Sequence, residues 1–174
     1  MTTPTTVTTP VTGDDIIAAG RAISLTTTVV AEWASRGTPK QREYLHGFLT
    51  AEHTSRQHAR HARLLKAARL PTLKSFDGYD WSAIRFPDGY GRDQLLGLEF
   101  LDRAGDLVLY GDVGTGKTHL ACALIAAACQ QGIPARFHTT ASLVAQLRRA
   151  KDADRLDKEL AAIARYPLLV IDEF

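Results

Sequence analysis

The sequence predicts an α/β protein: a parallel sheet with flanking helices, preceded by a small helical region. Three observations carry that prediction. A glycine-rich loop, Gly111-Asp112-Val113-Gly114-Thr115-Gly116-Lys117-Thr118, lies between the apolar run Leu107-Val108-Leu109-Tyr110 and an alanine-rich segment from His119 to Gln131. A second apolar run, Leu168-Leu169-Val170-Ile171, ends in Asp172 and Glu173. Between them strand-like and helix-like segments alternate, the order that generates crossovers and parallel strands.

The loop matches the phosphate-binding pattern G-x-x-x-x-G-K-[ST] at every position. Its glycines allow the backbone to turn back and aim successive N–H groups inward as an anion nest. The helix that follows adds the positive end of its dipole. In such a loop Lys117 reaches the β- and γ-phosphates, and the Thr118 hydroxyl ligates Mg²⁺. Gly132 is a natural stop for the helix. An acid at the end of a neighbouring strand holds Mg²⁺ through water in enzymes of this kind, which suits Asp172. An adjacent carboxylate can polarise the attacking water, which suits Glu173.

After the first core helix, Ala135–His138 reads as a strand. Helices follow over 142–151 and 154–165, the latter ending before Pro167. Upstream, residues 72–105 read as a connector dense in turn formers, with a helix from about Arg92 to Arg103. Its aromatics Phe76, Tyr79 and Trp81 suit packing on the core, or an approach to a nucleobase.

Residues 14–71 read as a helical N-terminal domain. Asp14 and Asp15 suit the cap of a first helix through Ile16, Ile17 and Ile23, a helix weakened by Gly20 and the threonines at 26–28. A second helix has clearer signals: Thr38 as N-cap, Pro39 at the first position and Gln41 completing a capping box. It extends to Leu70, where Pro71 ends it. Its second half carries Arg56, Arg60, Arg63, Lys66 and Arg69, with no acid after Glu52. At 100° per residue, Arg56, Arg60 and Arg63 share an arc of roughly 60°. Such a stripe can track a nucleic-acid backbone. It can also be a solvated face in which Glu52 and Arg56 pair. His58 and His61 have a metal-compatible spacing, but no Cys or acid completes a set.

Composition sets wider bounds. The 174 residues are 45% hydrophobic, with a net charge of +2, ordinary for a soluble domain. No apolar run reaches membrane-spanning length. Residues 1–13 read as a Thr/Pro-rich disordered tail without the features of a signal peptide. Cys122 and Cys129 lie two turns apart on one helix face, too far to bridge, and suit buried thiols in a reducing cytoplasm.

The loop continuing as Thr118-His119-Leu120-Ala121, the strand Leu169–Glu173, and the stretch Arg63-Leu64-Leu65-Lys66-Ala67-Ala68-Arg69-Leu70-Pro71 together carry a resemblance. Over about residues 40–174 the chain resembles the IstB-like/DnaC-like branch of the AAA+ P-loop ATPases, the transposition helpers and helicase loaders. The basic stretch before the core favours the helper. The resemblance implies ATP and Mg²⁺ as cofactors and ATP-dependent assembly of several copies on duplex DNA with little sequence preference. It also implies delivery of a partner, a transposase or a replicative helicase, in the cytoplasm. By position it assigns Gly111–Thr118 to the nucleotide, Lys117 to phosphate, Thr118 and Asp172 to the metal, and Glu173 to water activation.

Members of this family continue well past the acidic strand, with a polar sensor residue, an arginine finger and a helical lid. None has a candidate position here. One further strand is expected between the phosphate-loop strand and the acidic strand, so residues 106–174 form only the N-terminal part of such a core. This departure predicts a truncated product or fragment that binds nucleotide poorly and hydrolyses it hardly at all; the alternative it leaves is a catalytically inactive remnant that binds DNA or a partner through its N-terminal helices.

Overall fold

The computed structural model describes residues 10–173; residues 1–9, most of the expected tail, and Phe174 lie outside the described residues. The chain divides into two compact units, residues 1–59 and 60–174. The division lies inside the long third helix.

In the first unit, α1 spans Gly13–Ala22, α2 spans Thr27–Arg36, and the N-terminal part of α3 (Pro39–Ala68) completes it. The single weak helix expected here is two helices. The N-cap of α1 is Thr12, not the Asp14-Asp15 pair. Asp15 instead sits at N3 and closes a capping box, accepting from the Thr12 backbone N–H at 2.9 Å. Gly20 does not weaken α1 so much as let α2 approach. A Cβ placed there would lie 3.0 Å from Cγ2 of Val30. The threonines at 26–28 start α2 rather than disrupting α1, with Thr26 in the N-cap position. Ile16, Ile23, Val30, Ala34 and Leu49 are buried together, and Val11 packs against them. The Thr38 capping box forms as the sequence predicts, Gln41 Oε1 accepting from the Thr38 N–H at 2.8 Å. Helix α3 stops at Ala68, and Arg69 takes φ +55° ahead of Pro71.

The second unit is built around α6 (Lys117–Gln130). Its residues Leu120–Ala126, Ala128 and Cys129 are all buried, as an almost wholly apolar helix requires. Both cysteines are free and buried. Gly132, at φ +77°, turns the chain out of the helix, and the Ile133 N–H returns to the Ala128 carbonyl at 2.8 Å, a Schellman closure. Strand β1 (Ala135–Thr139) pairs in parallel with β2 (Leu168–Asp172), Thr139 standing opposite Asp172. The crossover between them carries α7 (Thr140–Asp152) and α8 (Leu156–Ile163), slightly longer and shorter respectively than the sequence suggests. The fold is thus α/β with a parallel pair of strands. One packed cluster joins Ala68, Leu95, Leu98, Leu120, Leu124, Ile125, Phe137 and Leu168.

Two expectations need correction. The connector helix over 92–103 is broken into α4 (Arg92–Leu96) and α5 (Glu99–Asp102), because Leu98 adopts a left-handed φ of +60° while its side chain is buried. Residues 107–110 do not form a strand. Valine and tyrosine favour extended backbone there, but a strand needs a neighbour to take its N–H and C=O groups. Among the described residues the sheet holds β1 and β2 alone, and Val108 and Tyr110 stand 66% and 91% exposed.

Candidate phosphate-binding site

The loop between residue 110 and α6 is held by its own backbone. Gly111, Gly114 and Gly116 take φ of +146°, +84° and +87°, values that any side chain would strain. The Thr115 hydroxyl donates to the Asp112 carbonyl at 2.8 Å and tightens the turn. Gly116 is the N-cap of α6 and supplies no side-chain acceptor to the first turn. The N–H groups that a serine or aspartate cap would consume are thereby left to an outside anion. The Lys117 ammonium folds back into the loop, donating to the carbonyls of Gly111 and Asp112, each at 2.8 Å. Asp112, Val113, Gly114 and Thr115 are exposed, so the concave side is open to a ligand.

Asp172 reaches this loop from the end of β2. The Thr118 hydroxyl donates to Asp172 Oδ2 at 2.7 Å. The main-chain carbonyl of Asp172 accepts from the Thr140 hydroxyl at 3.3 Å. Thr139, opposite Asp172 in the ladder, caps α7 by accepting the Ser142 N–H at 3.2 Å. The carboxyl ends of both strands are therefore pinned where ligands bind in parallel α/β sheets. Two oxygen donors of the kind that hard cations prefer meet beside the loop. These residues fit the Mg²⁺–triphosphate pair that the loop pattern implies. Glu173 follows in a left-handed conformation, φ +60°, and is exposed.

The connector contributes to the site as well as to the core. Its aromatics pack on the core, as one of the two readings holds, yet Tyr79 also touches the loop. A Cβ at Gly116 would lie 3.3 Å from the Tyr79 hydroxyl. Tyr79 meets the His119 ring edge-on at 5.1 Å, and His119 Nε2 lies 3.0 Å from the Ser75 carbonyl oxygen. Burial pushes the Tyr79 phenol up from its usual range, with the Asp80 charge adding to it. Burial likewise raises the Cys122 thiol, again helped by a carboxylate, that of Asp172. The aromatic spacing was the only signal for Tyr79, and nothing local marked Thr140.

The basic stretch of α3 separates into two kinds of residue. Arg56 pairs with Glu52 at 2.7 Å and also donates to the Ile23 carbonyl at 3.0 Å. Arg60 donates to the Gly132 carbonyl at 2.8 Å, closing the C-terminal end of α6. Arg63, Lys66 and Arg69 are exposed and have no hydrogen bond or ion pair among the described residues. Behind them Arg136, 9% exposed, donates to the Ala67 carbonyl at 2.6 Å. Among the described residues no helix is long and apolar enough to cross a membrane.

The family described as IstB-like ATP binding protein matches residues 22–174. The chain is 35% identical over 144 residues to the "Insertion sequence IS5376 putative ATP-binding protein" of Geobacillus stearothermophilus, covering 83% of this chain and 57% of that one. It is 34% identical over 145 residues to the "Insertion sequence IS21 putative ATP-binding protein" of Pseudomonas aeruginosa, covering 82% and 54%. A Mycobacterium tuberculosis relative, "Putative ATP-binding protein Rv3427c in insertion sequence", is 29% identical over 133 residues, covering 76% and 53%. The chain spans a little over half the length of these curated relatives. With a family match across most of its length and relatives at 34–35% identity, the chain belongs to the IstB-like ATP-binding proteins.

Proposed function

We propose that this chain binds Mg²⁺–ATP at Gly111–Thr118 and Asp172 and contributes to its hydrolysis, as a DNA-associated helper of a transposase. The observation that carries the nucleotide chemistry is the meeting of Thr118 and Asp172 at 2.7 Å beside an uncapped helix N-terminus. A triphosphate would take the place of the Gly111 and Asp112 carbonyls as the acceptor for Lys117, because charge-assisted bonds to phosphate are the stronger ones. The loop N–H groups would hold the phosphate chain, and Thr118 with Asp172 would hold the cation. Mg²⁺ would neutralise charge developing on the phosphate oxygens. Glu173, one residue beyond the metal-binding acid, would orient and deprotonate the attacking water.

The transposition role rests on the relatives, whose names place them in insertion sequences. Contact with duplex DNA rests on Arg63, Lys66 and Arg69, which the fold leaves exposed at the end of α3. That trio is the part of the five-residue stripe read from sequence that makes no hydrogen bond or ion pair among the described residues; Arg56 and Arg60 also donate to the carbonyls of Ile23 and Gly132. The test is ATP binding and steady-state hydrolysis by the purified chain with Mg²⁺, with and without duplex DNA. Turnover that disappears in Lys117→Ala and Glu173→Gln supports the reading. A folded chain that binds DNA and neither binds nor turns over ATP defeats the enzymatic part.

A further inference from the structure

We propose that the exposed aromatic face of the helical N-terminal unit docks an acidic amphipathic helix from a partner protein. Helices α2 and α3 bury Val30, Ala34 and Leu49 on their inner sides, yet both also carry large apolar groups outward. Trp33 is 64% exposed, Tyr44 79%, Phe48 58% and Val29 52%. These are not scattered. At 100° per residue, Val29, Trp33 and Arg36 share an arc of about 60° on α2. On α3, Gln41, Tyr44, Leu45 and Phe48 share an arc of about 100°. Trp33, Arg36, Gly37, Gln41, Arg42 and Leu45 line a groove of about 310 Å³ between the two helices. Contiguous apolar surface edged by polar groups marks an interaction site more often than chance exposure does.

The groove's charge selects the partner. Among the described residues, its two ionisable lining groups are Arg36 and Arg42, and no acid lines it. Arg42 spends Nε on the Gly37 carbonyl at 3.1 Å, which fixes the guanidinium and leaves its terminal nitrogens for a carboxylate. Arg36 is tethered to Glu32 at 2.8 Å by an exposed i,i+4 pair, which is weak enough to exchange for a better acceptor. Glu43 lies about 200° around α3 from Gln41, on the other side of the helix. Aromatic and arginine side chains are the groups that anchor protein interfaces. An amphipathic helix with bulky apolar residues at i, i+4 spacing and flanking carboxylates satisfies both halves of the surface. A nucleic-acid backbone satisfies only the charged half: Val29 and Leu45 offer nothing to phosphate.

The proposal is independent of nucleotide chemistry, and its test uses none. A fluorescein-labelled synthetic helix of about fifteen residues, with Leu and Phe on one face and Glu beside them, is titrated with the full chain and followed by anisotropy. A second peptide has every Glu replaced by Lys. The acidic peptide is expected to bind, and Trp33→Ser and Phe48→Ser, both at exposed positions, are each expected to weaken it about tenfold. The double variant Arg36→Glu/Arg42→Glu is expected to reverse the preference toward the basic peptide. Equal binding of the two peptides, or none at about millimolar concentration, overturns the proposal. So does displacement of the acidic peptide by a single-stranded oligonucleotide, or a self-association that Trp33→Ser abolishes.

Discussion

The Thr118 hydroxyl and the Asp172 carboxylate, 54 positions apart in sequence, lie 2.7 Å from each other. Helix α6 brings the first and strand β2 the second. Parallel pairing with β1 fixes how far β2 extends, and Thr140 holds the Asp172 carbonyl from the other side. Nothing in this arrangement needs the pair for the core, since Thr118 is exposed. Asp172→Asn is therefore expected to leave the thermal midpoint nearly unchanged. Nucleotide affinity without Mg²⁺ should also persist, while the gain on adding Mg²⁺ should fall about tenfold or more. Titrating a fluorescent ATP analogue with and without the metal reads both quantities.

Gly116 takes φ +87° and has Tyr79 against the place a Cβ would occupy. Gly116→Ala is expected to cost about 1–3 kcal/mol of stability through the backbone alone, and to lower nucleotide affinity. The 3.3 Å contact with the Tyr79 hydroxyl is tight but involves the tip of a side chain. Tyr79→Phe in the Gly116→Ala background is expected to recover only the smaller share of the loss. Thermal denaturation of the single and double variants separates the two contributions; full recovery would mean the contact, not φ, dominates.

Much of this site was legible in the chain because its signals are local. The glycine spacing, Lys117 and Thr118 require no knowledge of distant residues, and the same holds for the Thr38 capping box. What escaped was set by neighbours. The run 107–110 has the composition of a strand, but composition cannot supply the partner that completes a ladder. The helix expected over 92–103 breaks at Leu98 because burying that side chain prevails over helical continuity. Arg56 and Arg60 belong to a basic stripe by periodicity, but the carbonyls they reach come from other elements, Ile23 and Gly132.

That division makes the basic stretch separable by experiment. Arg63→Ala, Lys66→Ala and Arg69→Ala are each expected to weaken duplex DNA binding. Each should reduce the slope of log affinity against log salt by about 1. Arg60→Ala is expected to leave the slope alone and instead lower stability by about 1 kcal/mol, through loss of the bond to the Gly132 carbonyl. Salt titrations and urea melts on the same four proteins check both statements. A slope change in Arg60→Ala equal to the others would return it to the binding surface.

His138 lies inside β1, 5% exposed, and its Nε2 has no hydrogen-bond partner among the described residues. Burial holds its pKa below the usual histidine value. The Arg136 and Arg69 charges depress it further, and the charge of Glu159 opposes them. The unfolded chain then binds the extra proton at a higher pH than the folded one. Stability is present in full above the unfolded value of about 6.5 and is lost as pH falls toward the folded pKa. The wild-type melting temperature is expected to drop between about pH 7 and pH 5.5. His138→Gln is expected to flatten that part of the profile, and an unchanged slope would assign the acid sensitivity to other groups.

In the N-terminal unit Gly20 sets how closely α1 and α2 approach. Alanine is the better helix former by about 1 kcal/mol, and the φ of Gly20 is helical, so propensity alone favours Gly20→Ala. Packing opposes it: the added methyl would stand 3.0 and 3.1 Å from the two methyls of Val30. That side chain is β-branched, buried and held to one rotamer in its helix, so it cannot swing clear. Overpacking of this kind costs about 1–3 kcal/mol, and Gly20→Ala is expected to be net destabilising. Val30→Ala alone opens a small void and also destabilises. Combining the two places one methyl where two were lost, so the double variant is expected to be more stable than the sum of the single losses predicts. A double-mutant cycle by urea denaturation measures that coupling, and strict additivity would mean the helices separate freely to admit the methyl.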